Sequence, residues 1–260
     1  MNVQDSLEGL ARYYDVLMEH VDYNHWAAVA LTLGELLPEG FCHLDVACGT
    51  GTLIRRLRGE GWRSMGVDLS FAMLRAGRAQ MKQRVTAAAD MRALPVRGRF
   101  HLVTCLFDSL NFLLQGDEVA AAVQGFADAL EPGGLAYFDI VTARMVTEHF
   151  AGRSWSEKNG KFETVWTNAY DPVTGIADSH IRVNTGPACL IRERIYSERF
   201  VRECLKAAGL AVLAAVDADT WRNPTRRTTR IDFVAAKTPA RTLGRRFAEI
   251  RERVRQFSCR

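Results

Sequence analysis

The stretch Phe41-Cys42-His43-Leu44-Asp45-Val46-Ala47-Cys48-Gly49-Thr50-Gly51-Thr52-Leu53 decides the fold. Phe41 to Val46 is a short apolar and β-branched run, the composition of a strand, and it ends in a glycine-rich turn, Gly49-Thr50-Gly51. Helix-forming sequence follows from Leu53 onward. The two glycines let the backbone turn tightly and approach a ligand. A helix beginning at Thr52 would offer its unpaired N–H groups to a negative group.

A dinucleotide fold uses the same device, and two residues argue against one. In the spacing G-x-G-x-x-G the third glycine would fall at position 54, where this chain has Ile54. Asp45 sits in the strand just before the turn, where its charge would repel a pyrophosphate and attract an ammonium. A ligand with a carboxylate and an ammonium close together, such as the methionyl end of S-adenosylmethionine, suits an acid beside a helix N-terminus.

Composition sets the bounds. The 260 residues are 48% apolar and 25% charged, ordinary for one large α/β domain or two small ones. No apolar run approaches the roughly 20 residues that span a membrane, and the N-terminus MNVQDSLEGL lacks the basic-then-apolar form of a signal peptide, so a cytoplasmic protein is expected. The six cysteines form no C-x-x-C pair or Cys/His cluster, so they read as reduced and no metal site is expected. Eight Lys/Arg and two Glu between Lys237 and Arg260 give a local +6 against +4 overall, which leaves the rest of the chain at −2.

Upstream of the central strand, residues 3–37 read as helical, with Leu7, Leu10, Tyr14, Leu17 and Met18 at helical spacing. Downstream, the chain alternates. Leu53 to Arg58 is a helix, Trp62 to Val67 a second strand ending in Asp68, and Ser70 the N-cap of a helix running to about Lys82. An acid at the end of the second strand, 19 residues beyond Gly49, is placed to accept hydrogen bonds from both hydroxyls of a ribose. Arg84 to Ala88 is a short third strand, followed by Asp90-Met91, a carboxylate for an exocyclic amine and an apolar side chain for the face of a purine. Phe100 to Leu106 is a fourth strand running into Phe107-Asp108-Ser109-Leu110-Asn111-Phe112. After a helix from Gly116 to Leu130 and a turn at Glu131-Pro132-Gly133-Gly134, Leu135 to Ile140 is a fifth strand with Asp139 near its end. This alternation predicts a parallel, doubly wound sheet, whose ligands lie at the carboxyl ends of the strands. Asp45, Asp68, Asp90, Asp108 and Asp139 all fall there.

Between Ala151 and Ser197 the pattern becomes antiparallel. Three strands, Lys161 to Tyr170, Gly175 to Asn184 and Cys189 to Tyr196, alternate apolar and polar residues and would cover the cleft. A helix at 198–208 and strands at 210–216 and 230–236 complete the main sheet. The domain organisation expected is a helical lid at 1–40, a main domain at 41–237 with the β insert at 151–197, and a basic helix at 238–260. In that last segment Leu243, Phe247, Ile250, Val254 and Phe257 form an apolar seam, expected to dock on the chain's own domain or on a dimer mate.

The motifs HLDVACGTGTL, GVDLS with Met73, AADMRALP, FHLVTCLFDSLNFL and ALEPGGLAYFDI resemble, in order and spacing, those of class I S-adenosylmethionine-dependent methyltransferases. The resemblance covers roughly residues 10–236 and is greatest to small-molecule members of the sugar N,N-dimethyltransferase and glycine N-methyltransferase type. It implies an α/β fold, a doubly wound Rossmann-like sheet of seven strands with an N-terminal helical lid and an antiparallel β insert. It also implies S-adenosylmethionine as cofactor. By the resemblance Asp45, Ala47, Gly49 and Gly51 hold the methionyl end, Asp68 with Leu69 the ribose, and Asp90 and Met91 the adenine, with Met73 and Leu106 beside them. Tyr14 would face the sulfonium methyl and Tyr23 the methionine carboxylate. The expected reaction is in-line displacement by a substrate nucleophile, with Tyr14 orienting the methyl and Asp108, Asn111 or Asp139 binding or deprotonating the acceptor. His20, His25 and His149 stand as reserve bases.

The acceptor expected is a small molecule, most readily an amine or a hydroxyl. Phe112 stands where amino-sugar enzymes place a histidine beside the substrate amine, which counts against an amino sugar. The Asn/Asp-Pro-Pro-Tyr motif of DNA amine methyltransferases is absent, and no nucleic-acid or membrane partner is expected. Two rivals are carried: an RNA or protein methyltransferase using the basic tail with Arg222, Arg226, Arg227 and Arg230, which salt would weaken steeply, and a non-catalytic S-adenosylmethionine-binding regulator. Family members often dimerise through their inserts, so a homodimer stands among the expectations.

Overall fold

A computed structural model describes residues 7–81 and 83–258 of the chain. Strand β1, Cys42–Val46, is flanked by β2 (Arg63–Asp68) and β4 (Phe100–Cys105), both parallel to it. Beyond β2 lies β3 (Thr86–Ala88), and beyond β4 come β5 (Leu130–Val141), then β11 (Arg230–Lys237) and β10 (Leu210–Asp217). The seven strands run in the order β10-β11-β5-β4-β1-β2-β3, with β11 antiparallel to both its neighbours. Both faces of this sheet are covered, which is why its central strands read as nearly continuous apolar runs.

On one face, α2 (Tyr23–Gly34), α3 (Thr52–Gly59) and α8 (Leu243–Ser258) pack with Leu33, Leu57, Phe247, Tyr137 and Trp221 in one apolar cluster. On the other, α5 (Gly116–Ala129) and α7 (Glu198–Ala207) bury Phe126 and Leu205 against Phe138 and Phe233. The short α4 (Phe71–Arg78), N-capped by Ser70, lies beside β2 and β3. Because β1 to β5 run parallel, their carboxyl ends lie at one edge of the sheet, and the five acids stand along it.

The sequence expectations hold for the main sheet and depart at four places. The N-terminal stretch is not one helix: α1 is a single turn, Tyr14–Leu17, and α2 starts afresh because the Asp22 carboxylate accepts from the Asn24 and His25 N–H groups at 3.1 and 3.0 Å. Residues 3–6 and Lys82 lie outside the described residues, and the helix expected to run to about Lys82 ends at Arg78, with Ala79 as its C-cap. The Glu131-Pro132-Gly133-Gly134 turn is absorbed into β5 as an irregularity, so that Phe100 pairs with Leu130 and Leu102 with Leu135.

The insert has four strands rather than three, in the order β6 (Ser154–Asn159), β7 (Phe162–Asp171), β8 (Ile176–Val183), β9 (Ala188–Arg194), preceded by α6 (Ala143–His149). β6 escaped notice because SWSEKN is polar, as a sheet edge is when charged side chains protect it. The basic tail docks on its own domain. Leu243, Phe247, Ile250 and Val254 are buried, and Arg253 pairs with Glu35 while Arg246 donates to the Glu35 carbonyl at 2.8 Å. Among the described residues no helix is long and apolar enough to cross a membrane.

Candidate active site

Strand register builds the first part of the site. His43 lies opposite Ser64, and Asp45 lies opposite Gly66 on one side and Thr104 on the other. Residues two apart on a strand share a face, so Ser64, His43, Thr104 and Asp45 line up as a buried polar row. The Thr104 hydroxyl donates to Asp45 Oδ1 at 2.6 Å, His43 Nε2 is 2.8 Å from Thr104 Oγ1, and His43 Nδ1 is 3.1 Å from Ser64 Oγ. Because the threonine proton is committed to the carboxylate, Nε2 carries the imidazole proton and Nδ1 accepts from Ser64. Burial pushes His43 down to about 3, so the ring is neutral. Burial also pushes Asp45 up to about 7, against the opposing pull of the Thr104 bond.

The glycine-rich turn follows. Ala47, Gly49 and Gly51 all take left-handed φ values, 55°, 56° and 78°, and for Ala47 that conformation is strained. The Gly49 N–H donates to Asp68 Oδ2 and the Ser70 N–H to Asp68 Oδ1, each at 2.7 Å, so the carboxylate is fixed while each oxygen keeps lone-pair capacity. Helix α4 reaches the turn at Gly77, where a Cβ would overlap the Thr50 carbonyl. Gly77→Ala is therefore expected to cost about 1–3 kcal/mol in urea denaturation, whereas Gly59→Ala, with open space around it, is expected to be neutral or stabilising.

A cavity of about 600 Å³ opens above these strand ends. Asp45, Ala47, Gly49, Asp68, Leu69 and Met73 line one side, and Asp90, Met91 and Leu106 continue the wall. The segment before β1 contributes Tyr14, Tyr23 and His20. Burial, with Tyr23 and the nearby Asp108 and Asp68, raises Tyr14 well above the usual phenol range, so its hydroxyl is a donor and not a base. Asp90 lines the wall while its carboxylate pairs with Arg92, which also pairs with Glu118.

Three expected site residues have other work. Gly51 does not reach the wall; it caps α3. Asn111 is fully buried and spent on backbone, donating to the Arg194 carbonyl at 2.8 Å and accepting from the Val141 N–H at 3.1 Å. Asp139 is also fully buried, behind Arg230 and away from the cavity. Of the histidines, His25 and His149 do not line the cavity.

Arg230 does not face a polyanion. Its guanidinium is largely buried, pairs with Asp139 and with Asp108 at 3.1 Å, and lies over the rings of Trp26 and Phe107. Asp108 reaches it from a turn in which Phe107 and Asp108 both have left-handed φ, 61° and 51°. Sequence reading missed Glu193 and the tryptophans Trp155 and Trp166, all lining the cavity from the insert. The alternation of β9 and β7 was the available signal, although it does not say which face is inward.

A family described as "Methyltransferase domain" matches residues 44–134. A provisionally named methyltransferase of Geobacillus sp. (strain WCH70) is 30% identical over 245 residues, covering 88% of this chain and 99% of that protein. The chain belongs to the class I S-adenosylmethionine-dependent methyltransferases.

The methyltransferase is also similar to dTDP-3-amino-3,4,6-trideoxy-alpha-D-glucopyranose N,N-dimethyltransferase of Streptomyces venezuelae, 36% identical over 114 residues but covering only 42% of this chain and 48% of that one. Its fold matches that of an S-adenosylmethionine-dependent methyltransferase from Clostridium acetobutylicum ATCC 824, with a TM-score of 0.76, 24% identity and coverage of 88% and 98%. S-adenosylmethionine is the cofactor of this methyltransferase. The donor set fits it chemically: a buried acid with a single partner at Asp45, a carboxylate with spare lone pairs at Asp68, and backbone turned open at Gly49.

Proposed function

We propose that the enzyme methylates a small-molecule acceptor, an amine ahead of a hydroxyl. What carries this reading is the character of the cavity: partly covered by the N-terminal segment and the insert, walled by aromatic and aliphatic side chains, edged with carboxylates, and with both lining arginines already paired. An open basic groove for nucleic acid would look different, and the tail arginines Arg246 and Arg253 are engaged with Glu35.

S-adenosylmethionine supplies a methyl group already activated on sulfur, so the protein's task is alignment, water exclusion and control of one proton. In this reading Asp45 holds the ammonium of the donor, Asp68 its ribose hydroxyls, and Met91 with Leu69 its base. Tyr14 donates from the lid to orient the reacting groups, and Tyr23 supports it. The test is methyl transfer to a panel of amines and alcohols, read by mass spectrometry, alongside calorimetric binding of the donor. Tyr14→Phe is expected to bind S-adenosylmethionine normally and to lose about tenfold or more in turnover. Unchanged turnover would remove Tyr14 from the reaction, and donor binding without transfer to any acceptor would favour a regulatory protein.

A further inference from the structure

We propose that Glu193 and Asp108 seat a cationic amine of the acceptor, with Glu193 the base that takes its proton. This rests on the small-molecule reading above and narrows it to amines.

The placement of Glu193 is built. Strand β9 is fastened to the loop after β4 by two bonds, Asn111 Nδ2 to the Arg194 carbonyl at 2.8 Å and Arg194 Nη1 to the Leu114 carbonyl at 2.9 Å. With Arg194 turned to that loop, its neighbour Glu193 turns to the other face of the strand and into the cavity. There its carboxyl meets Asp108, and Oε1 is buried with no hydrogen-bond partner in the protein. A buried acceptor without a partner is costly, and in a cavity wall it marks where a ligand donor fits.

The surrounding charges explain which ligand. The groups facing Glu193 are Asp108, Asp139 and Arg230. The single guanidinium is already shared between Asp108 and Asp139, so three carboxyls face one cation. An ammonium supplies the missing positive charge. Burial, reinforced by Asp108, raises Glu193 well above the usual carboxylate range, which suits it to accept a proton from an amine. Trp155 and Trp166, stacked with centroids 5.5 Å apart, line the same cavity and offer an apolar plate for the body of the acceptor.

The proton balance closes. Seating the ammonium displaces to solvent the proton that Glu193 holds in the free protein, and an N–H proton of the bound ammonium then passes to the resulting carboxylate, freeing the nitrogen lone pair. That pair forms the new C–N bond as the donor's C–S bond breaks and its electrons stay on sulfur. The product leaves as a methylated ammonium, and Glu193 keeps the proton it took, as in the free protein, so one proton in all reaches solvent.

The experiment titrates isosteric pairs, benzylamine with benzyl alcohol and cyclohexylmethylamine with cyclohexylmethanol, into the full-length protein with S-adenosylhomocysteine bound, following tryptophan fluorescence. The amines are expected to bind at least tenfold more tightly than their alcohols, and Glu193→Gln is expected to abolish that preference while binding S-adenosylhomocysteine as the parent does. Amine preference that survives in Glu193→Gln, equal binding of the paired compounds, or no amine binding overturns the proposal. Methyl transfer confined to alcohols would sink the amine seat and leave the small-molecule reading standing; transfer to no acceptor would sink that reading itself.

Discussion

Replacing Arg230 by methionine is expected to destabilise the protein by about 3–5 kcal/mol, because removal of one partner strands buried carboxylates without compensation. Arg230 is the cation for Asp108 and for the fully buried Asp139, and its side chain is only 16% exposed. The loss should appear as a lower urea midpoint with an unchanged slope. Arg222→Met, on the exposed loop before β11, should stay within about 0.5 kcal/mol. Adding Asp139→Leu to Arg230→Met should recover part of the loss, since one stranded charge is then gone. A change below about 1 kcal/mol in the single variant would mean that the cluster is not held by this pair.

The free protein is expected to grow more stable as the pH falls from 7 to about 5.5, the reverse of common behaviour. Asp45 and Asp232 are both pushed up to about 7 by burial, against roughly 4 in an unfolded chain. Between those values the folded state keeps protons that the unfolded state has released, so stability declines with rising pH across that window and levels off above it. Glu193, Asp139 and Asp68 are also raised, each by burial first, and add in the same direction. His43 opposes them: driven down to about 3, it is neutral in the fold while an unfolded histidine charges below roughly 6.5. One net proton over this window amounts to on the order of 2 kcal/mol in urea denaturation at the two pH values. Asp232 lies away from the cavity, bonded to Tyr137 at 2.8 Å, so Asp232→Asn should flatten the slope by one proton without altering donor binding. A stability that rises steadily from pH 5.5 to 7 would contradict the buried-acid account.

What the sequence revealed followed from locality. The glycine turn at 49–51, the acids at strand ends and the alternation of strand and helix are all written within a few residues of where they act, and the main sheet came out in order. Asp22 shows a local signal passed over: a carboxylate two and three residues before Asn24 and His25 is an N-cap, and it splits what periodicity alone joined into one helix. The partnerships across the fold were not legible. Arg230 stands among surface arginines in the sequence, and only the pairing of β11 with β5, which sets Asp232 opposite Asp139, brings it to that buried acid. Asn111 sits in a motif that suggests chemistry, yet its side chain is consumed by backbone groups from β5 and β9. Glu193 needed the inward face of the insert to be known.

The break at Asp22 has a mechanical consequence. On its near side, Leu10, Tyr13 and Leu17 pack with Ile181, Val183 and Phe162 of the insert; on its far side, α2 is clamped by α8 to the main sheet. The first segment touches the glycine turn chiefly through Asp15, which accepts from Thr50 at 2.5 Å and from Gln80 at 2.9 Å. One seam is apolar and interlocked, the other a few half-exposed polar bonds, and the polar one is the cheaper to part. Residues 7–18 are thus packed as one body with the insert, and their polar seam against the glycine turn is the weaker of the two.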